Sequence, residues 1–137
     1  MRNLPIGIED FKELIDKDYY YVDKTLFIRD VLKQKVALYT RPRRFGKTLN
    51  MSMLYYFFSI RQMENAYLFN GLKISEHEKA MLYQNRYPVI FLSLKDMKDI
   101  SFQDQLNNFQ IILGEIISKN KELLTSEYLD EIDRNLL

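Results

Sequence analysis

Hydrophobic positions along the chain fall into short blocks, each with its own period. In residues 8–15, Ile8, Phe11, Leu14 and Ile15 repeat at helical spacing. Residues 19–22 are aromatic and β-branched, and Asp23 stands where it can cap the next helix. Residues 24–35 put Phe27, Ile28, Val31 and Leu32 on one face, which predicts an amphipathic helix. Val36-Ala37-Leu38-Tyr39 is then a continuous apolar run stopped by Thr40 and Pro42, the pattern of a short strand buried on both faces. A polar turn over 41–48 leads into a strongly apolar helix over 49–61, carrying Leu49, Met53, Leu54, Phe57 and Ile60. Ser75-Glu76-His77-Glu78 reads as a capping box, with Ser75 as N-cap and Glu78 at N3, ahead of a short helix to 83. Residues 88–94 are a second buried-strand candidate. From Ser101 onward, Phe102, Leu106, Phe109, Leu113, Ile116 and Ile117 keep helical spacing past Gly114, and residues 127–137 predict a last helix. The pattern predicts an α/β fold with parallel-type strands, in which 36–61 opens a βαβ unit.

Composition narrows the functional classes. The chain has 137 residues, of which 47% are hydrophobic and 28% charged. That suits one domain or part of one and excludes intrinsic disorder. A net charge of +1 argues against a nucleic-acid binder that uses its whole surface, leaving only a local basic patch. Without cysteine there is no disulfide, no thiolate zinc site and no cysteine nucleophile. His77 is the only histidine, and between Glu76 and Glu78 at a helix start it reads as solvated rather than as a ligand. The longest apolar stretch, 53–58, is far short of the roughly 18–20 residues a bilayer requires, and the start has no apolar signal core. The expectation is a cytoplasmic protein with no membrane partner.

Candidate chemistry concentrates in one turn. Thr40-Arg41-Pro42-Arg43-Arg44-Phe45-Gly46-Lys47-Thr48 ends in the Gly-Lys-Thr of a phosphate-binding loop. Gly46 lets the backbone turn close to an anion, and backbone N–H groups at a helix start point at phosphates that the helix dipole also favours. Lys47 can reach the outer phosphates, and the Thr48 hydroxyl can hold Mg²⁺. Arg41, Arg43, Arg44 and Lys47 place four positive charges in seven residues, and guanidinium groups grip phosphate in bidentate fashion. The pattern G-x-x-x-x-G-K-[ST] would have its first glycine at Arg41, so the entry turn is altered.

Several strings together resemble the bacterial and archaeal AAA-ATPase-like family. They are Leu4-Pro5-Ile6-Gly7, Tyr21-Val22-Asp23-Lys24-Thr25, the Thr40–Leu49 loop, Ser52-Met53-Leu54 with Phe57-Phe58, Leu68-Phe69-Asn70-Gly71-Leu72 and Tyr87-Pro88-Val89-Ile90. In that family arginine at the first-glycine position is usual. The resemblance implies an incomplete P-loop NTPase αβα sandwich of the ASCE/AAA-like class with parallel strands. It also implies that Arg43, Arg44, Phe45, Gly46, Lys47 and Thr48 bind ATP, with Mg²⁺ on Thr48. It assigns no firm role to Tyr21, Asp23 or Lys24, for which helix capping and packing is the expectation. On this reading residues 1–35 are a helical lead-in, 36–61 the strand, loop and helix, and 62–137 further helices with the second strand.

A hydrolytic apparatus is not legible. P-loop ATPases hold Mg²⁺ partly through an acid at the end of a later strand. Here Asp96 follows residues 89–92 in the wrong register, and Glu115 and Asp130-Glu131 sit in helical patterns. No catalytic residue is assigned. The expectation is the N-terminal part of a longer protein that binds nucleotide, does not hydrolyse it alone, and self-associates through uncovered apolar helix faces. The family usually adds a PD-(D/E)XK nuclease-like domain downstream. Asp96-Met97-Lys98 has the form D-x-K, but without an upstream metal acid it reads as a charged turn. Two alternatives remain from other classes: a vestigial or sensing nucleotide module, and a nucleic-acid-associated protein that uses the arginine loop.

Overall fold

Three phenylalanines fix the centre of the molecule. Phe11, Phe57 and Phe69 are fully buried; Phe69 stacks on Phe11 at 5.3 Å between ring centroids and meets Phe57 edge-on at 5.1 Å. Such pairs add stabilisation beyond the apolar area they bury. Ile28, Met53, Leu68, Ile74 and Ala80 complete the buried cluster around them. The computed structural model describes residues 2–40, 46–94 and 101–121. It divides into two units, Met1–Val89 and Ile90–Leu137.

In the first unit, helix α1 (Phe11–Asp16) begins at Asp10, whose carboxylate accepts the Glu13 N–H at 2.8 Å. Helix α2 (Leu26–Val31) buries Ile28, and helix α3 (Lys47–Phe58) buries Ser52, Met53 and Phe57. A 3₁₀ helix, Ile60–Phe69, is kinked at Gln62 and delivers Leu68 and Phe69 to the core. A second 3₁₀ turn, Lys73–Glu76, buries Ile74, and helix α4 (Glu78–Met81) buries Ala80.

A polar junction ties α1 to α3. Ser52 Oγ accepts the Phe11 N–H at 3.0 Å and donates to Asp10 at 3.3 Å, and the Tyr56 hydroxyl donates to the same carboxylate at 3.0 Å. Burial, and then the bond to Asp10, push the Tyr56 phenol up to about 12 from its ordinary 10.0. A raised phenol contributes stability that is full below its unfolded value and lost as pH rises through the folded one. Stability should therefore fall between pH 10 and 12. Tyr56→Phe should lower stability at neutral pH by about 1 kcal/mol and flatten this alkaline slope. An unchanged slope in pH-dependent thermal melts would contradict the assignment.

The α/β expectation is overturned. Among the described residues the chain is mostly helical, with no strand and no sheet, so the parallel-strand αβα sandwich is not its architecture. Val36 and Leu38 are 88% and 87% exposed, and Ile90 and Leu94 are also exposed. An apolar run signals a tendency to be buried, but a strand exists only when a neighbour pairs its N–H and C=O groups. The one parallel contact among the described residues is an isolated bridge between Ser59 and Tyr87, in which Ile60 N donates to Tyr87 O at 2.9 Å and Tyr87 N to Phe58 O at 3.0 Å.

Three local expectations also change. The helix expected over 49–61 starts at Lys47 and stops at Phe58. Ser59 is extended and its Oγ accepts the Arg61 N–H, while the Asn85 side chain donates to the carbonyls of Tyr56 and Ser59. The helix end is thus satisfied from outside, which removes the need for another turn. The capping box at Ser75 does not form: Ser75 Oγ donates to Leu72 O at 2.6 Å, and His77 is the N-cap of α4 without a side-chain capping bond. A short hydroxyl side chain near a turn often finds the local carbonyl first. His77, expected to be solvated, is half-buried.

In the second unit, helix α5 (Phe102–Lys119) is capped by Ser101, whose Oγ accepts the Asp104 N–H at 3.1 Å. No helix among the described residues is long and apolar enough to cross a membrane. The helix expected over 127–137 and the Asp96-Met97-Lys98 motif lie outside the described residues.

Candidate phosphate-binding site at the start of α3

Gly46 is the N-cap of α3 with φ 73° and ψ 26°, in the left-handed region. A Cβ there would meet nothing within 4 Å, so conformation rather than space calls for glycine. Its carbonyl accepts the Asn50 N–H at 2.9 Å, which sets the first turn. Lys47 and Thr48 open the helix, at the end where backbone N–H groups point outward along the axis. Lys47 is exposed and Thr48 half-buried. Arg43, Arg44 and Phe45, the remaining members of the expected set, lie outside the described residues.

Lys47 lines a cavity of about 440 Å³, whose other walls are Lys24, Phe27 and Asp30 from around α2, Tyr39 before the loop, and Asn50 and Met51 on α3. Phe27 and Tyr39 meet edge-on, 4.3 Å between centroids. None of these six stands out in the sequence as a binding residue, because their common feature is position in space rather than spacing along the chain.

The segment that presents Lys24 and Phe27 is held by residues to which the sequence gives no binding role. The Tyr21 ring packs edge-on against Phe11; its hydroxyl donates to the Met53 sulfur at 3.7 Å and accepts the Lys24 N–H at 3.1 Å. Desolvation pushes the Tyr21 phenol up to about 12. Asp23 Oδ1 accepts from the Thr25 N–H and hydroxyl, and Oδ2 accepts the Lys73 N–H at 2.7 Å. Thr25, fully buried, in turn accepts the Ile74 N–H at 3.1 Å. Tyr21 and Asp23 therefore pack and brace this segment, while the helix cap expected of them does not form: Thr25 is the N-cap of α2, without a side-chain capping bond.

These residues fit a nucleotide carrying Mg²⁺. A left-handed glycine at a helix N-terminus suits phosphate, two lysines line one cavity, and its volume lies within the range of about 300–1,000 Å³ common for small-molecule sites. No group of three or more His, Asp or Glu that could hold a metal occurs among the described residues. Mg²⁺ commonly makes do with one or two protein oxygens beside phosphates and water, so a hydroxyl such as that of Thr48 is a sufficient protein donor type.

The family described as "Predicted AAA-ATPase" matches residues 5–135 of the chain. A protein of Azotobacter chroococcum mcd 1, named "Uncharacterized protein in vnfD 5'region", is 35% identical over 106 residues, covering 72% of this chain and 19% of that protein. The chain thus spans about a fifth of that relative's length. No solved structure matches. With the match running through both the loop and its supporting segments, the chain belongs to the AAA-ATPase-like family of predicted AAA-ATPases.

Proposed function

We propose that this chain binds a nucleoside triphosphate, ATP with Mg²⁺, by holding its phosphates at the start of α3. The observation that carries this reading is the left-handed Gly46 at the N-cap, with Lys47 directly behind it on the cavity wall. The N–H groups of Gly46, Lys47 and Thr48, at the positive end of the helix dipole, are the donors for phosphate oxygens. The Lys47 ammonium adds a charge-assisted contact, and the Thr48 hydroxyl is the protein ligand for Mg²⁺. Arg43 and Arg44 supply further guanidinium groups for the phosphates, and Phe45 precedes Gly46 in the sequence. Bound Mg²⁺ would offset the negative charge of the phosphates. No residue of this chain is assigned to hydrolysis; nucleotide binding is the proposed activity.

Calorimetric titration with Mg-ATP tests the reading. Lys47→Ala should weaken binding about tenfold or more, the effect of losing one charged hydrogen bond. The variant should melt with the parent protein, because Lys47 is exposed. Equal affinity in the two proteins would sink the proposal.

A further inference from the structure

We infer that Tyr39, Phe27 and Asn50 form a nucleobase subsite that takes the adenine ring of a nucleotide whose phosphates lie at Lys47. This inference rests on the nucleotide reading above and extends it to the base of the same ligand in the same cavity. Phosphate and Mg²⁺ call for N–H groups, cations and oxygens; they have no use for an aromatic wall. Yet the cavity that Lys47 lines is also lined by an edge-to-face aromatic pair and by Met51, which is 50% exposed. The centroid separation of 4.3 Å is too tight for a base to enter between the rings, so stacking uses an outward ring face. Tyr39 is 40% exposed and lines the cavity. Stacking of a base on an aromatic side chain is tolerant of base identity, and a polar group beside it supplies selection.

Besides the lysines and the Tyr39 hydroxyl, Asp30 and Asn50 bring polar side chains to the cavity. The Asp30 carboxylate is already engaged, with Lys33 at 3.3 Å and Arg29 at 3.5 Å. Asn50 offers both an amide donor and an acceptor, the pair that matches the amino group and adjacent ring nitrogen of adenine. Asn50 also lies three residues after Lys47 on α3, so the two share a helix face.

The test compares Mg-ATP, Mg-GTP and magnesium tripolyphosphate by calorimetry on the parent protein and on Tyr39→Ala, Tyr39→Phe, Asn50→Ala and Lys47→Ala. The parent should bind ATP about tenfold more tightly than tripolyphosphate. Tyr39→Ala should lose most of that margin while its tripolyphosphate affinity stays unchanged, and Tyr39→Phe should restore it. Asn50→Ala should remove the preference for ATP over GTP, and Lys47→Ala should weaken every ligand. A parent that binds tripolyphosphate as tightly as ATP overturns the base subsite and leaves the phosphate site standing. A parent that binds neither overturns both, and this comparison does not depend on any variant folding.

Discussion

Phe57→Ala is expected to destabilise the first unit by about 3–5 kcal/mol, the range for truncating a fully buried phenylalanine. The size follows from where the ring sits. Phe57 is edge-on to both Phe69 and Phe58, at 5.1 Å in each case, and Phe69 is in turn the ring on which Phe11 stacks. Truncation therefore leaves a void between α3, α1 and the Ile60–Phe69 helix, where neighbouring aromatic rings cannot collapse without shifting their own contacts. Thermal denaturation followed by circular dichroism should show the midpoint falling on the order of 10–20 °C. A midpoint within a degree or two of the parent would mean that this aromatic cluster is not the centre of the fold.

Asp23→Ala is expected to cost about 2–3 kcal/mol, although Asp23 is only partly buried. One carboxylate serves three donors, and without it the Thr25 and Lys73 N–H groups lose their acceptor. The damage should spread to Thr25, which is fully buried and carries the Ile74 contact. Burial alone would push the Asp23 carboxyl up, but the bonds from Lys73 and Thr25 together outweigh it and hold the group below its ordinary 3.8. A lowered carboxyl contributes stability that is present above the unfolded value and disappears as pH falls through the folded one. The parent should therefore lose stability below about pH 4, and Asp23→Asn should lack that part of the acid slope. Identical acid-denaturation curves would remove Asp23 from this role. Because these Asp23 bonds hold the segment that enters α2, Asp23→Ala should also weaken nucleotide binding by displacing Lys24 and Phe27.

Helix positions are largely readable along the chain, and the reason is physical. The period of Phe102, Leu106, Phe109 and Leu113, and the Ser101 cap before it, are local features that need no distant partner. Asp10 is harder to see as a cap, although its spacing to Glu13 suits one, because its more telling bonds run to Ser52 and Tyr56 about forty residues away. The end of α3 escapes the pattern for a similar reason: Asn85, distant in sequence, supplies the donors that close it. The strands expected at 36–39 and 88–94 rest on apolarity, which does not specify a pairing partner.

For the candidate site, the sequence by itself determined the Gly-Lys-Thr string and the helix after it, since a glycine, a lysine and an apolar period are local chemical facts. It also determined the family, whose motifs extend through most of the chain. Only the tertiary structure decided that Tyr21, Asp23 and Thr25 form a latch, that Lys24, Phe27 and Tyr39 meet Lys47 around one cavity, and that the helices stand without a sheet among the described residues. Those outcomes depend on contacts between segments as many as fifty residues apart, such as Asp23 with Lys73, and no local pattern encodes the energy of a distant contact.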